Sequence, residues 1–503
     1  MYLPLFIGGL LNASCIKSVA QTVPDMKKCI GLFNLMQLED GRPRLCTRAA
    51  EGLQPALVAT RLSDSGFVSP PGLPILRHLL VVSSELGMIP NLLDISRKYG
   101  GRIKLDFIYG VPVLFISDKD LVSYICNTKP LLTKETYGTT DKWIGEGLLT
   151  CKAADRWKTT RKMLNPCFSL QQLEIYLESF EDPTRVLVEE LKAEVGKKGF
   201  DVLPYLSACA LDIICEAVMG IRLNVQGDEN SQYMKDIHEM CSIIIRQKEV
   251  VGRIRRLTQD VIDNRRKEKT ASSSPISDSN KKNKNASLLD VLLDAEIDGR
   301  RLTDRELLDE TQSFLFAGHH TSATCISLCL YCLSKHLDVQ NKVVKELDSI
   351  FGSDNRFPTW NDLNEMRYLE MVIKETMRFY TVTPFISRLV DEDVSFGDIF
   401  IPKGMHAMIF VYGIHMNAEY HPNPERFDPS RFEKEMTSYT FIPFGAGPRN
   451  CLGQRFAMLE IKYVLSQVLR NFNILEVVDH IPQRVMAVLL RFKNGMMIRL
   501  EPK

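Results

Sequence analysis

The most reactive arrangement in this chain is one cysteine in a glycine-rich loop, Phe444-Gly-Ala-Gly447-Pro-Arg449-Asn-Cys451-Leu-Gly453. Arg449 stands two residues before the thiol, and an apolar-periodic run begins at Gln454. Apolar residues at helical spacing predict a helix there, so the loop delivers Cys451 to a helix N-terminus. Free backbone N–H groups and the helix dipole at that place favour thiolate over thiol. The glycines let the backbone turn tightly and approach something large and flat. Arg449 adds a cation suited to a carboxylate. An arbitrary cysteine behaves as a small hydrophobe. A lone thiolate with these flanks is instead the arrangement that ligates haem iron and donates electron density into it.

A second cysteine cluster competes for attention. Cys325-x-x-x-Cys329-x-x-Cys332 has the spacing of the three thiolates that hold a [4Fe–4S] cluster in radical-SAM enzymes. Such clusters need irregular backbone to converge their sulfurs. Here the cysteines recur at i, i+4 and i+7 within a continuous apolar run, which describes one stripe of a packed helix. Core packing is the expectation, with the cluster as the remote alternative.

Composition bounds the rest. The chain has 503 residues, 45% hydrophobic and 25% charged, with a formal net charge of +1. That suits a large globular core and gives no electrostatic case for nucleic acid as a partner. Its 13 cysteines form no disulfide-like framework, which favours a reducing compartment. The N-terminal run Met1–Leu11 falls short of the roughly 20 apolar residues that span a bilayer. Residues 1–66 are expected to be an atypical segment and 67–503 the functional domain.

Several elements must position these groups. A proline-rich stretch at 69–74 precedes a predicted helix over Ile89–Tyr99. Ile103–Ile108 and Val111–Ser117 flank Tyr109-Gly110 as a hairpin. Trp157 and Arg161 share a helix face at i, i+4. Leu203–Ile221 is an apolar helical pattern; Tyr233–Lys248 and Val251–Arg266 follow as two helices with almost no connection, and 270–285 is a polar loop. Leu307–Ser334 is a long helical pattern around Phe314-Leu-Phe-Ala317-Gly-His-His320-Thr321-Ser. Glu375 and Arg378 pair at i, i+3 on a later helix. Asn471–Val478 and Met486–Leu500 are expected as strands.

Phe444-x-x-Gly447-x-Arg449-x-Cys451-x-Gly453, taken with Trp157-x-x-x-Arg161, Ala317-Gly-x-His320-Thr321-Ser322 and Glu375-x-x-Arg378 in that order upstream, resembles the cytochrome P450 superfamily. The resemblance runs from about Pro70 to the C-terminus and is greatest to the animal family-four branch. It implies a mainly α fold with a small β-rich lobe, and haem b (heme) held by Cys451. It also implies a monooxygenase that inserts one oxygen atom into a fatty-acid-like or xenobiotic substrate. Trp157, Arg161, Arg388 and Arg449 would meet the haem propionates, and Glu375, Arg378 and Arg431 would form a structural charge network. Phe314, Ala317, Val382, Phe385 and Met486 would line the substrate pocket. NADPH-derived electrons would arrive through a flavin-containing NADPH cytochrome P450 reductase, docking near Lys158, Lys162 and Arg455. The expected location is the cytosolic face of the endoplasmic reticulum membrane, against the membrane surface.

Three departures from the family pattern matter. His320 stands where an acid usually helps Thr321 with protons, and histidine, which titrates near neutrality, is expected to relay them instead. Ala317 replaces the glutamate that tethers haem covalently in lipid hydroxylases of family four, so no such ester is expected. The region 245–252 is short for the usual lid over the substrate. The alternatives left open are a haem-thiolate protein that does not activate dioxygen, of isomerase or dehydratase type, and an inactive haem binder.

Overall fold

The computed structural model describes residues 66–72, 78, 81, 86–106, 112–134, 144–227, 248–272, 287–297, 299–486 and 490–503. Residues 1–65 and the turn at Tyr109-Gly110 lie outside the described residues, as does most of the region expected to form Tyr233–Lys248 and the polar loop 270–285.

Helix α1 (Met88–Tyr99) buries Met88, Ile89, Leu92 and Leu93 and stops at Gly100, whose φ of 88° suits glycine. Strands β1 (Arg102–Leu105) and β2 (Val113–Ile116) pair antiparallel, as the hairpin pattern predicts. Helix α2 (Lys119–Asn127) is capped by Asp118, whose side chain accepts from the Asp120 and Leu121 N–H groups. Helix α3 (Ala154–Leu164) carries Trp157 and Arg161, and α4 (Leu170–Tyr176) and α5 (Glu178–Lys192) follow. After β3 (Phe200–Asp201), the expected helix from Leu203 runs as α6 (Leu203–Ile214). It widens into a π-helical turn, Cys215–Met219, and closes on left-handed Gly220. Helix α7 (Lys248–Ser272) contains the second of the two expected helices, Val251–Arg266, and extends beyond it at both ends.

Beyond α8 (Leu288–Asp294) and the small hairpin β4 (Glu296–Ile297) and β5 (Arg300–Arg301) comes the central helix α9 (Asp304–Lys335). Its 32 residues extend about 48 Å at ~1.5 Å per residue. Thr303 and Glu306 form a reciprocal capping box at its start. From Leu307 to Ser334 it is buried on nearly every side, because other helices pack around it. The closest is α6: a Cβ at Gly318 would sit 2.6 Å from Ile214 Cδ1, so glycine permits this crossing.

Helices α10 (Leu337–Phe351), α11 (Trp360–Glu365) and α12 (Arg367–Tyr380) lead into β6 (Phe385–Leu389). After the hairpin β7 (Val394–Phe396) and β8 (Ile399–Ile401), β9 (His406–Phe410) completes a four-stranded sheet in the order β1-β2-β9-β6. This sheet and the helix α2 beside it bury their own cluster, including Leu114, Ile116, Leu121 and Ile409. Helix α13 (Val411–His415) precedes the cysteine loop, and α14 (Gln454–Asn471) is the helix expected behind Cys451.

The C-terminus corrects one expectation. In place of a single strand over Met486–Leu500 there are three, β11 (Arg484–Met486), β12 (Leu490–Phe492) and β13 (Met497–Pro502). Gly495, at φ +74°, turns the chain between the last two. Strand β13 pairs with β10 (Phe472–Glu476) on one side and with β3 on the other.

Candidate active site

Helix α9 and the cysteine loop face each other across a cavity of about 280 Å³. Thr321, Ala317 and Phe314 line it from α9; Phe444, Arg449, Cys451 and Gly453 line it from the loop. The loop positions Cys451 as the sequence predicts. Its N–H donates to the Phe444 carbonyl at 2.8 Å, folding the loop back on itself. Gly453 stands as the N-cap of α14, and its N–H donates to the Cys451 sulfur. The thiol is accessible from the cavity but otherwise lies deep in protein. Burial raises its pKa, against the lowering by the Gly453 amide, Arg161 and Lys134. The helix terminus alone therefore does not make the thiolate expected from sequence. A cation bound at the sulfur would favour the thiolate.

Cations gather on this side of the cavity. The Arg449 guanidinium stacks 4.3 Å from the Trp157 ring centroid and donates to the Cys151 carbonyl at 3.0 Å. Arg161 donates to the Asn450 carbonyl at 2.6 Å and to Asn450 Oδ1 at 2.8 Å, so it clamps the residue before Cys451. Lys134, which the sequence analysis missed, also lines the cavity. Burial pushes it down to about 7, helped by the like charges of Arg388, Arg449 and Arg161 and opposed by Cys451. Such a concentration of buried positive charge suits a ligand with anionic groups beside the thiolate. A flat, apolar haem with two carboxylates fits this donor set.

Some expected contacts are placed differently. Arg388 is not among the residues lining the cavity; it is buried in β6, with Nη1 donating to the Ser387 carbonyl at 2.9 Å. It shares a strand face with Ile386, which does line the cavity, at spacing i, i+2. The neighbour Phe385 points the other way, stacked on Phe410 at 5.0 Å, and is core rather than pocket. The strand's alternation reassigns its pocket role to Ile386. Gly447 does not touch the cavity either. At φ +69° a Cβ there would meet the Cys126 carbonyl oxygen at 2.3 Å, so this glycine lets the loop pass the end of α2. Met486 is placed by its backbone in β11, and its side chain lies outside the described residues.

On the opposite wall, Val382 lines the cavity as expected. The Thr321 hydroxyl donates to the Ala317 carbonyl at 2.7 Å. His320 is buried and is not among the lining residues. Ser322 donates to Glu460 Oε2 at 2.6 Å, and burial pushes this fully enclosed carboxyl up to about 8. Sequence offered no signal for Glu460, because a glutamate within an amphipathic helix normally faces solvent.

The charge network forms beneath the cavity. Arg378 donates twice to Glu375, at 2.7 Å each, and also to the His415 carbonyl at 3.0 Å. Arg431 approaches Glu375 at 3.5 Å and donates to the Asn423 carbonyl. His415 joins this network to the approach of the cysteine loop: its Nε2 accepts from the Ile442 N–H at 3.0 Å.

The iron–sulfur alternative fails on geometry. Cys325, Cys329 and Cys332 sit in continuous helix α9; a hydrogen bond with Cys329 and then burial hold Cys325, and burial holds Cys332, well above the ordinary thiol range. Among the described residues no group of three or more His, Cys, Asp or Glu side chains is placed to hold a metal ion.

The cytochrome P450 family profile matches residues 68–498. This chain belongs to the cytochrome P450 family. It is 32% identical to cytochrome P450 4c3 of Drosophila melanogaster over 86% of this chain and 89% of that protein. It is 33% identical to human cytochrome P450 4V2 over 79% and 82%. Among solved structures it resembles the haem domain of cytochrome P450DA, with a TM-score of 0.76 and 21% identity over 87% of this chain and 98% of that one, a likeness of fold. The protein is therefore a cytochrome P450 monooxygenase, a family that implies haem with a cysteine thiolate ligand. The radical-SAM alternative is set aside. No helix among the described residues is long and apolar enough to cross a membrane.

Proposed function

We propose that this enzyme inserts one atom of dioxygen into an apolar, fatty-acid-like or xenobiotic substrate bound between α9 and the cysteine loop. The observation that carries this reading is that Thr321 and Cys451 line one cavity from opposite walls. Cys451 Sγ would hold the iron of haem b, its thiolate assisted by the Gly453 N–H. When bound, haem supplies the binding and reductive activation of dioxygen, with one atom entering the substrate and the other leaving as water. Arg449, Trp157 and Lys134 would hold the propionate edge; Arg161 acts mainly by clamping Asn450, and Arg388, on the same face of β6 as Ile386, adds positive charge. Because Ala317 offers no carboxylate, the haem is held without an ester.

The remaining wall selects an apolar substrate. Leu148, Phe314, Val382 and Ile386 face the cavity, while its lining cations Lys134, Arg161 and Arg449 belong to the cysteine side. Thr321 Oγ1, with its own proton committed to the Ala317 carbonyl, presents lone pairs that accept a proton-bearing water. His320, the preceding residue of α9 and itself buried, is the side chain proposed to relay protons to it.

Electrons come from NADPH through a flavin-containing reductase that docks over the exposed residues Lys158, Lys162 and Arg455. Residues 67–503 act at the cytosolic face of the endoplasmic reticulum membrane, with 1–66 as a separate segment. The test is reconstitution of the haem-loaded protein with that reductase, NADPH, ¹⁸O₂ and a panel of fatty acids. One ¹⁸O per product molecule, lost when Lys158, Lys162 and Arg455 are all reversed to glutamate, is expected. Unlabelled product, or undiminished turnover after the reversal, would overturn the respective part.

A further inference from the structure

The segment 144–151 crosses the first turns of α9 so closely that side chains are excluded. A Cβ at Gly145, where φ is +73°, would lie 2.0 Å from the Asp309 carboxylate. One at Gly147 would lie 2.3 Å from Ser313 Oγ and 2.5 Å from the Asp309 carbonyl oxygen. At this crossing, adjacent carboxyl groups of α9 take alternate amides of the segment. The Glu146 N–H donates to Asp309 Oδ2 at 3.1 Å, and the Leu148 N–H donates to Glu310 Oε2 at 2.9 Å. Immediately afterwards Leu148 and Leu149 line the cavity. The Cys151 carbonyl then receives Arg449 Nη2. The segment is thus tied to α9 at one end and to the cysteine loop at the other, with a piece of cavity wall strung between.

The two anchoring acids differ in their surroundings. Asp309 meets Arg255 from α7 at 2.7 Å and Arg305 of its own helix at 3.9 Å. Glu310 is equally enclosed, but Arg156 from α3, which acts on it electrostatically, is paired at 3.4 Å with Glu306. Asp309 and Glu306 oppose its ionisation, and the thiol of Cys151 faces it from the segment.

We propose that Glu310 is a positioning residue for the substrate cavity: its neutral carboxyl holds segment 144–151 closed, and ionisation loosens that wall. The proposal rests on the cavity being the monooxygenase's substrate site. Burial, outweighing the Leu148 N–H and Arg156, which both favour the ionised form, pushes Glu310 from its ordinary 4.5 to about 7. Exposed to water in an opened segment, it would regain the ordinary value. The closed form therefore binds the proton more tightly. Closure is most favoured below about pH 4.5, weakens by up to about tenfold per unit as pH rises towards 7, and changes no further above it.

The experiment is amide hydrogen exchange of the full haem-loaded protein, read by mass spectrometry on peptides covering 144–151. Rates are converted to protection factors, which removes the intrinsic pH dependence. Between about pH 5.5 and 7 the wild-type protection is expected to fall by about tenfold or more and then level off. Glu310→Gln, which keeps the neutral shape, is expected to hold the high protection throughout, with α14 peptides unaffected in both. A flat wild-type profile overturns the proposal, and so does a Glu310→Gln profile that keeps the wild-type slope. The wild-type profile decides the matter even should the variant fail to fold. Exchange needs no turnover, so this result stands apart from any failure to find ¹⁸O in product.

Discussion

Removing Arg378 from the buried charge network should cost far more than removing an equivalent cation at the surface. Both Arg378 and Glu375 have no side-chain exposure, and they are joined by two hydrogen bonds of 2.7 Å. Arg378→Met would leave the Glu375 carboxylate enclosed, with only Arg431 at 3.5 Å and the Asp428 N–H at 2.8 Å to answer it. An uncompensated buried charge of this kind costs about 3–5 kcal/mol. The His415 carbonyl would also lose its donor, adding roughly 1 kcal/mol. Arg185 supplies the control: it pairs with Glu181 at 3.0 Å, but both side chains are about half exposed. Such pairs contribute about 0–1 kcal/mol, so Arg185→Met should barely register. The assay is urea unfolding of both variants against wild type, followed by helix content and by the haem absorption band together. Arg378→Met should lose its haem band at a markedly lower urea concentration. The double variant Arg378→Met/Glu375→Gln should recover part of the loss, because the stranded charge is gone. Equal effects of Arg378→Met and Arg185→Met would refute the reasoning, as would a double variant no better than the single.

Other outcomes follow from the same contacts. Glu460 is raised from 4.5 to about 8 in the folded protein, so the fold binds its proton more tightly than the unfolded chain does. Its contribution is complete below about pH 4.5 and is lost as pH rises to about 8. Glu460→Gln should therefore gain stability relative to wild type across that window, approaching ~5 kcal/mol at ~1.4 kcal/mol per unit; a difference independent of pH in chemical unfolding would contradict this. Gly447→Ala should abolish haem retention, since the added carbon meets backbone at 2.3 Å, whereas Gly252→Ala in α7, where nothing lies within 4 Å of the added carbon, should retain it. Equal haem content in the two purified variants would count against the loop geometry. Lys134→Met should weaken haem retention several-fold in transfer to apomyoglobin, and an unchanged transfer rate would remove it from the propionate site.

Much of the site was legible in the sequence because its parts are local. Cys451, its glycines and the helix behind it sit within one short stretch, and Trp157/Arg161 and Glu375/Arg378 are each one helical turn apart. Periodicity likewise located α9, whose apolar run is long enough to outweigh its polar centre. What could not be read depends on pairings between distant segments. Phe385 and Ile386 are adjacent, and only the register of β6 against β9 decides which of them faces the cavity. Gly447 looked like a cofactor contact because both possible close neighbours, haem and the end of α2, demand the same missing Cβ. Lys134, Glu310 and Glu460 carry no local signature, since their unusual environments come from burial by elements more than a hundred residues away. The single strand expected over Met486–Leu500 is divided for a simpler reason: apolar residues continue on both sides of Asn494-Gly495, but this pair turns the chain.

The central claim is that Cys451 is the thiolate ligand of haem in this cavity. The most direct test is the absorption spectrum of the dithionite-reduced, carbon monoxide-bound protein, beside that of Cys451→His. Wild type is expected to show the long-wavelength Soret band of thiolate-ligated iron, and the variant the shorter-wavelength band of a neutral ligand. The short-wavelength band in fresh wild-type protein, or a long-wavelength band that survives in Cys451→His, would contradict the account.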